Sequence, residues 1–307
     1  MAIDLAGRCR WLLITVICML ATLPFADCGS ATQLPKTKAK TANGTQASSL
    51  TVRTADGRLR SYIVYAPPGG ARRSPLVLVF HGAEDTAEGT AQETDFLQVA
   101  AQDGFVVAFL QGYEDTWNEG AGHTPAEVAH VNDVEFTSEV LTQIERSYSI
   151  DRTRVAAVGL SNGALLTELL GCRLADRLTL IAPIAGQLPV SVSPTCRPAR
   201  PISVLEMHGT ADQAIPYGGG HFVGVGGGTT VLSAPASAAR WASLDGCKSH
   251  RQTADAPQAT LLTAYSACHD HVTVALRSLQ GAGHGWPEDV GLLIAEFLGQ
   301  HPGAPAK

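Results

Sequence analysis

The stretch Arg154–Leu170, RVAAVGLSNGALLTELL, decides the fold. Val155 to Val158 is a short apolar run that reads as a buried strand, while Leu165, Leu166, Leu169 and Leu170 recur at helical spacing. Between them Gly159-Leu160-Ser161-Asn162-Gly163 spells G-x-S-x-G, a sharp strand-to-helix turn that exposes a serine hydroxyl. So tight a turn crowds its neighbours, and glycine at 159 and 163 removes the side chains that would collide. Ser161 is then held at the apex in a strained backbone region. The helix that follows aims backbone N–H groups and a positive dipole end at the same space. The motif alone is weak: with glycine at about 7% of residues, it arises by chance in roughly one 300-residue chain in ten. Its place after an apolar strand raises its weight, and the rest of the chain must supply a base and an acid.

Working outward, Leu76–Phe80 (LVLVF) is a continuous apolar run, the mark of a strand buried on both faces. Phe105–Leu110, Leu178–Ile184, Ile202–Met207, Leu261–Tyr265 and Val272–Leu276 read as further strands, and the alternating Leu59–Tyr65 as an early one. Helices are expected over Glu88–Gln102, Val131–Tyr148, Ala234–Leu244 and Val290–Leu298. Buried strands alternating with amphipathic helices predict an α/β fold, a mostly parallel sheet with helices on both faces. Functional loops then gather at the carboxyl ends of the strands.

Two more strand ends carry chemistry. Met207 leads into His208-Gly209-Thr210-Ala211-Asp212, and Leu279 into Gly281-Ala282-Gly283-His284-Gly285-Trp286-Pro287. The chain order Ser161, Asp212, His284 suits nucleophilic acyl transfer. Ser161 attacks, His284 takes its proton, and Asp212 fixes the imidazole tautomer. Asp245 and Asp270 are rival acids, but neither ends a strand that precedes the His284 strand in the right order. His208 is expected to bond locally, and His269 and His271 to be surface residues. The oxyanion donors are the N–H of Asn162 and that of Ala83, where His81-Gly82 lets the chain approach the substrate. Trp117 and Trp286 are candidate substrate-binding aromatics; for Trp117, ordinary loop packing is the competing reading. Gly218 to Gly228 holds seven glycines in eleven positions and is either a flap beside the site or an insertion.

The 307 residues, 45% hydrophobic, suit one large domain. The net charge of −6 argues against nucleic acid or an anionic membrane surface as the main partner. Residues 1–28 read as an export signal: Arg8 and Arg10 precede thirteen mostly apolar residues, Trp11–Leu23, too few for a membrane span of about 20. Two endings stay open, lipidation and membrane attachment at Cys28, or cleavage near Ala26. Residues 29–49 are polar and read as a flexible tether, 50–300 as the catalytic domain and 301–307 as a tail. Cys172, Cys196, Cys247 and Cys268 are even in number, as expected of two disulfides in an exported protein. Of three pairings, Cys172–Cys196 with Cys247–Cys268 closes short loops and is chosen. No spacing is C-x-x-C, so no metal site is assigned.

Five ordered motifs carry a resemblance: HGA at 81–83, VNDVEF at 131–136, YSIDRTRVAAVGLSNGA at 148–164, HGTADQAIPY at 208–217 and GAGHGWP at 281–287. Together they resemble the polyhydroxybutyrate depolymerase and feruloyl esterase branch of the α/β-hydrolases over roughly residues 50–300. The resemblance implies an exported serine esterase with the triad Ser161, Asp212 and His284, no metal, no cofactor, and a small or oligomeric ester as substrate. The family often has cysteine where Ala83 stands. Two alternatives remain: an acyltransferase acting on a cell-envelope acceptor, and a non-catalytic surface binding protein. Acyl specificity and oligomeric state are not encoded in these motifs.

Overall fold

Along Leu76–Phe80 every residue is buried, yet successive side chains enter different cores. Leu76, Leu78 and Phe80 join one apolar cluster while Val77 and Val79 join another. That is the pleat of a strand covered on both faces. The same division holds for Val106, Ala108 and Leu110 against Val107 and Phe109, and for Val155 and Ala157 against Ala156 and Val158.

The computed structural model describes residues 38–40, 46–67, 73–121, 124–255 and 260–303. Its elements begin with β1 (Lys38–Lys40), β2 (Gln46–Arg53), β3 (Leu59–Ala66), β4 (Ser74–Phe80), α1 (Ala87–Glu93), α2 (Phe96–Asp103) and β5 (Val106–Leu110). Then come α3 (Pro125–Val128), α4 (Asp133–Ser147), β6 (Ile150–Leu160), α5 (Asn162–Leu174), β7 (Leu180–Ile184) and β8 (Ser203–Gly209). The chain ends with β9 (Gly220–Gly224), β10 (Gly227–Val231), α6 (Ala234–Leu244), β11 (Ser249–Asp255), β12 (Thr260–Ser266), β13 (Val274–Leu279) and α7 (Val290–Gln300).

Eleven strands form one sheet in the order β1-β2-β3-β5-β4-β6-β7-β8-β13-β12-β11. The strands from β5 to β13 in that order run parallel, and both flanks are antiparallel. Helices α4, α5 and α6 bury Phe136, Leu141, Leu166, Leu170 and Trp241 on one face. Helices α1, α2 and α7 bury Ala91, Phe96, Ile294 and Leu298 on the other. The expected α/β architecture with a mostly parallel centre is therefore present. Both disulfides form as paired, Cys172–Cys196 and Cys247–Cys268.

Two expectations change, one open reading is decided, and an edge strand joins those expected. The helix expected over Glu88–Gln102 is two, α1 and α2. Thr94 is extended (φ −109°, ψ 160°) and ends α1, and the carboxylate of Asp95 after it accepts the N–H groups of Gly291 (2.6 Å) and Leu292 (3.2 Å), capping α7. The polar stretch 29–49 is not all tether, because β1 and the start of β2 lie in it and β2 pairs with β3 along its length. The glycine-rich segment is an ordered hairpin, β9–β10, with Gly227 opposite Gly224. Strand β11 (SHRQTAD) has no apolar run because it is the edge strand. The export signal and Cys28 lie outside the described residues. Among those described, no helix is long and apolar enough to cross a membrane.

Candidate active site

Ser161 sits between β6 and α5 with φ 56° and ψ −119°, conformationally strained for a non-glycine residue. Its N–H donates to Ile184 O at 2.9 Å, and its carbonyl accepts the N–H groups of Ala164 and Leu165. The flanking glycines are required by close approach. A Cβ on Gly159 would run into Gly163 O, and one on Gly163 into Phe80 O and, at 2.5 Å, His81 O. The elbow thus presses directly on the end of β4, where Gly82 and Ala83 follow.

Asp212 is buried past the end of β8. One carboxylate oxygen accepts Ala214 N–H (2.8 Å) and Ile215 N–H (3.0 Å). The other lies 2.8 Å from His284 Nδ1 and 3.3 Å from His208 Nε2. Burial pushes this carboxyl up, but hydrogen bonds from His208 and His284, the charge of His284 and the Ile215 N–H outweigh it and hold it well below the usual carboxylate range. Asp212 is therefore an acceptor only, so His284 presents N–H at Nδ1 and keeps Nε2 as its unprotonated nitrogen. The loop of His284 is fastened to that of Asp212: Ala211 N–H donates to Ala282 O (3.0 Å) and Gly281 N–H to Thr210 Oγ1 (2.9 Å). His208 donates Nε2–H to Ile215 O at 2.9 Å, the local bond expected, and supports Asp212 as well. Asp245 instead accepts Ile202 N–H at 3.3 Å, and Asp270, His269 and His271 are exposed.

Ser161 and His284 stand at the carboxyl ends of β6 and β13, with β7 and β8 between them. Among the described residues no hydrogen bond joins them. Such contacts are often long until substrate is bound.

A cavity of about 200 Å³ opens onto Ser161. Ala83, Glu119 and Asn162 line it, with Leu165 and Ile215 below and Phe222, Val223 and Thr229 of the β9–β10 hairpin above. Of the two readings of the glycine-rich segment, the flap beside the site is the one realised. A cavity of about 430 Å³ lies at the amino ends of the parallel strands, among Ser74, Val106 and Ser149, away from Ser161. The N–H groups of Ala83 and Asn162 donate to no backbone carbonyl among the described residues, which leaves both for a ligand.

Trp117 is a correction, and the competing reading of loop packing is the one realised. Trp117 is 0% exposed and does not line the cavity. Its Nε1–H donates to His81 O at 2.8 Å and its ring packs edge-on against Phe80 at 5.4 Å. Trp286 is half-buried against Phe96, two residues from His284, and both lie outside the lining of the 200 Å³ cavity. Sequence reasoning passed over Glu119 and Asp133, whose only signals are carboxyls inside otherwise structural motifs, WNEG and VND. Asp133 pairs with Arg60 at 2.7 Å and accepts Asn118 N–H at 2.7 Å, bracing the loop after β5 that carries Trp117. His81 accepts Gly112 N–H at Nε2 (2.9 Å) and donates Nδ1–H to Gly82 O (2.7 Å). Burial holds its pKa down, keeping it a neutral brace.

Comparison with known proteins agrees with this geometry. The family model described as Esterase PHB depolymerase matches residues 60–187. The match runs from β3 through the elbow to the residues beyond β7. Feruloyl esterase B of Piromyces equi is 30% identical over 235 residues, 73% of this chain and 42% of that protein. The bifunctional acetylxylan esterase/xylanase XynS20E of Neocallimastix patriciarum is 29% identical over 161 residues, 52% of this chain and 22% of that one. The chain thus spans less than half the length of these relatives. Among solved structures, the acetyl xylan esterase of Aspergillus awamori superposes with a TM-score of 0.60 at 15% identity, covering 82% of this chain and 98% of that one. The S-formylglutathione hydrolase of Agrobacterium tumefaciens gives 0.53 at 14% identity, covering 86% and 95%. The chain therefore adopts an α/β-hydrolase fold.

Proposed function

We propose that this chain is an exported serine esterase that hydrolyses carboxylic esters through an acyl-enzyme on Ser161. The observation that carries the reading is a strained serine lining a mostly apolar cavity while an Asp212–His284 pair stands at neighbouring strand ends. In the proposed reaction Ser161 Oγ attacks the ester carbonyl carbon and His284 Nε2 takes its proton. The oxyanion rests on the N–H groups of Ala83 and Asn162. Collapse expels the alcohol, which receives the proton from His284. Water then attacks the acyl-enzyme by the same steps, returning the serine and releasing the acid.

The basic residues before Trp11–Leu23 and the two disulfides support export. The mass of the mature N-terminus separates lipidation at Cys28 from cleavage near Ala26. The domain match supports an ester substrate, and hydroxyalkanoate oligomers, feruloyl esters and acetylated sugars, assayed side by side, rank the acyl groups. The decisive experiment is turnover of a short chromogenic acyl ester by the wild type and by Ser161→Ala. The variant should lose at least about 10³-fold in kcat with the fold retained. Equal turnover would end the assignment.

A further inference from the structure

Asn162 supplies one backbone N–H of the proposed oxyanion site, and its side chain is bolted into the wall behind that site. Its Oδ1 accepts Trp117 N–H at 2.8 Å. Its Nδ2 donates to Glu119 Oε2 at 3.0 Å and more loosely to Trp117 O at 3.4 Å. Asn162 is the first residue of α5 and lines the cavity, so fixing its side chain also fixes its own peptide, whose N–H has no backbone acceptor among the described residues. Glu119 itself is only 2% exposed, yet it lines the same cavity as Ser161. A carboxyl group so placed can hold Asn162 and still stand beside the charge that forms during turnover.

We propose that Glu119 is a positioning residue that aims the oxyanion site through Asn162 and does so as a neutral acid, so that its ionisation shuts turnover down. The inference rests on the esterase reading and adds a residue which that reading does not require. The charged groups facing Glu119 are Glu127 of α3 and Asp133 of α4, the latter already paired with Arg60. Burial raises the Glu119 carboxyl, its own backbone N–H lowers it, Glu127 raises it, the Asn162 amide lowers it and Asp133 raises it; the balance stands at about 8. At neutral pH the group is thus uncharged. Once its proton passes to solvent, a carboxylate shares the cavity wall with the developing oxyanion, and the two negative charges repel in a site with little water between them. The repulsion exists only in the transition state, so it lowers kcat and leaves KM nearly unchanged.

The test is the pH dependence of kcat and KM for a short chromogenic ester between about pH 6 and pH 10, with spontaneous hydrolysis subtracted and folding checked by circular dichroism. Wild type should lose at least about tenfold in kcat between pH 7 and pH 9.5, with KM nearly constant. Glu119→Gln keeps an oxygen for Asn162 and cannot ionise. Whatever its rate at pH 7, it should hold that rate to pH 9.5. Should Glu119→Gln fail to fold, Asn162→Ala serves: it removes a donor that favours the carboxylate and should move the alkaline fall to higher pH. A flat wild-type profile, the same fall in Glu119→Gln, or an unmoved fall in Asn162→Ala overturns the proposal. A folded wild type with no turnover and no labelling of Ser161 by a fluorophosphonate overturns the esterase reading along with it.

Discussion

Gly163→Ala tests whether the elbow and the oxyanion loop are fixed by their closeness. An added Cβ would lie 2.5 Å from His81 O and nearer still to Phe80 O, both backbone atoms, where ordinary contact begins at 3.4 Å. The start of α5 and the end of β4 must part by about 1.0 Å, and neither can yield by a side-chain rotation. Overpacking of this kind costs about 1–3 kcal/mol. At about 2–4 °C per kcal/mol for a domain near this size, the unfolding midpoint should fall by about 2–12 °C. The functional loss should be larger in proportion. The displaced strand end carries Ala83 and the displaced helix carries Asn162, and misplacing reacting groups by about 1 Å can cost about 10²-fold in rate. Gly218→Ala is the matched control, since a Cβ there meets nothing within 4 Å; its stability should change by less than about 0.5 kcal/mol. Both variants are compared by thermal unfolding and by kcat/KM on a chromogenic ester. Wild-type stability and turnover in Gly163→Ala would refute the idea that this contact sets the site.

Other perturbations separate structural from chemical roles. Trp117→Phe leaves His81 O without its donor and opens space beside Phe80, so it should lower unfolding stability by about 2–4 kcal/mol in urea titrations, with the same relative loss of activity for all acyl groups; a change confined to one substrate's KM would restore Trp117 as a binding residue. Asp212→Asn should cost roughly 10⁴-fold in kcat by favouring the wrong imidazole tautomer, with KM little changed, as steady-state kinetics will show. Buried acids should make the fold less stable as the pH rises: burial pushes Asp245 up to about 7 and Glu168 up to about 8, so each binds its proton more tightly folded than unfolded. Their contribution is complete below about pH 4, the unfolded range, and is lost as the pH climbs through 7 and 8. Urea midpoints measured from pH 5 to pH 9 should fall, and Asp245→Asn should flatten part of that slope. Opening Cys172–Cys196, which spans 24 residues, by a double serine substitution should cost about 3–4 kcal/mol of stability in denaturant titration.

The sheet was legible because its strands are apolar without interruption, and uninterrupted apolar runs of that length have few other uses. Ser161, Asp212 and His284 were legible because each follows such a run at its carboxyl end, and the Asp212–His284 contact confirms that two of those ends meet. What escaped depends on polar groups answering distant partners. Asp95 caps a helix nearly two hundred residues away, and no local pattern records that. Trp117 looks the same in sequence whether its indole faces substrate or a buried carbonyl. Strands β2 and β11 carry polar side chains because they lie toward the sheet's margins, so a pattern tuned to apolar alternation passes them by.

The strain at Ser161 ties these observations together. A non-glycine residue held at such backbone angles costs about 1–3 kcal/mol, and that cost must be met by contacts that relaxing the turn would break. The contacts are identifiable: Ser161 N–H on Ile184 O, Asn162 clamped by Trp117 and Glu119, and glycine backbones pressed against β4. Each of them also aims a group of the proposed reaction, the hydroxyl through the turn and the Asn162 N–H through its side chain. Loosening any one contact should therefore disturb turnover more than it disturbs folding, because the global fold rests on the two faces of the sheet while the aim of these groups rests on a handful of hydrogen bonds.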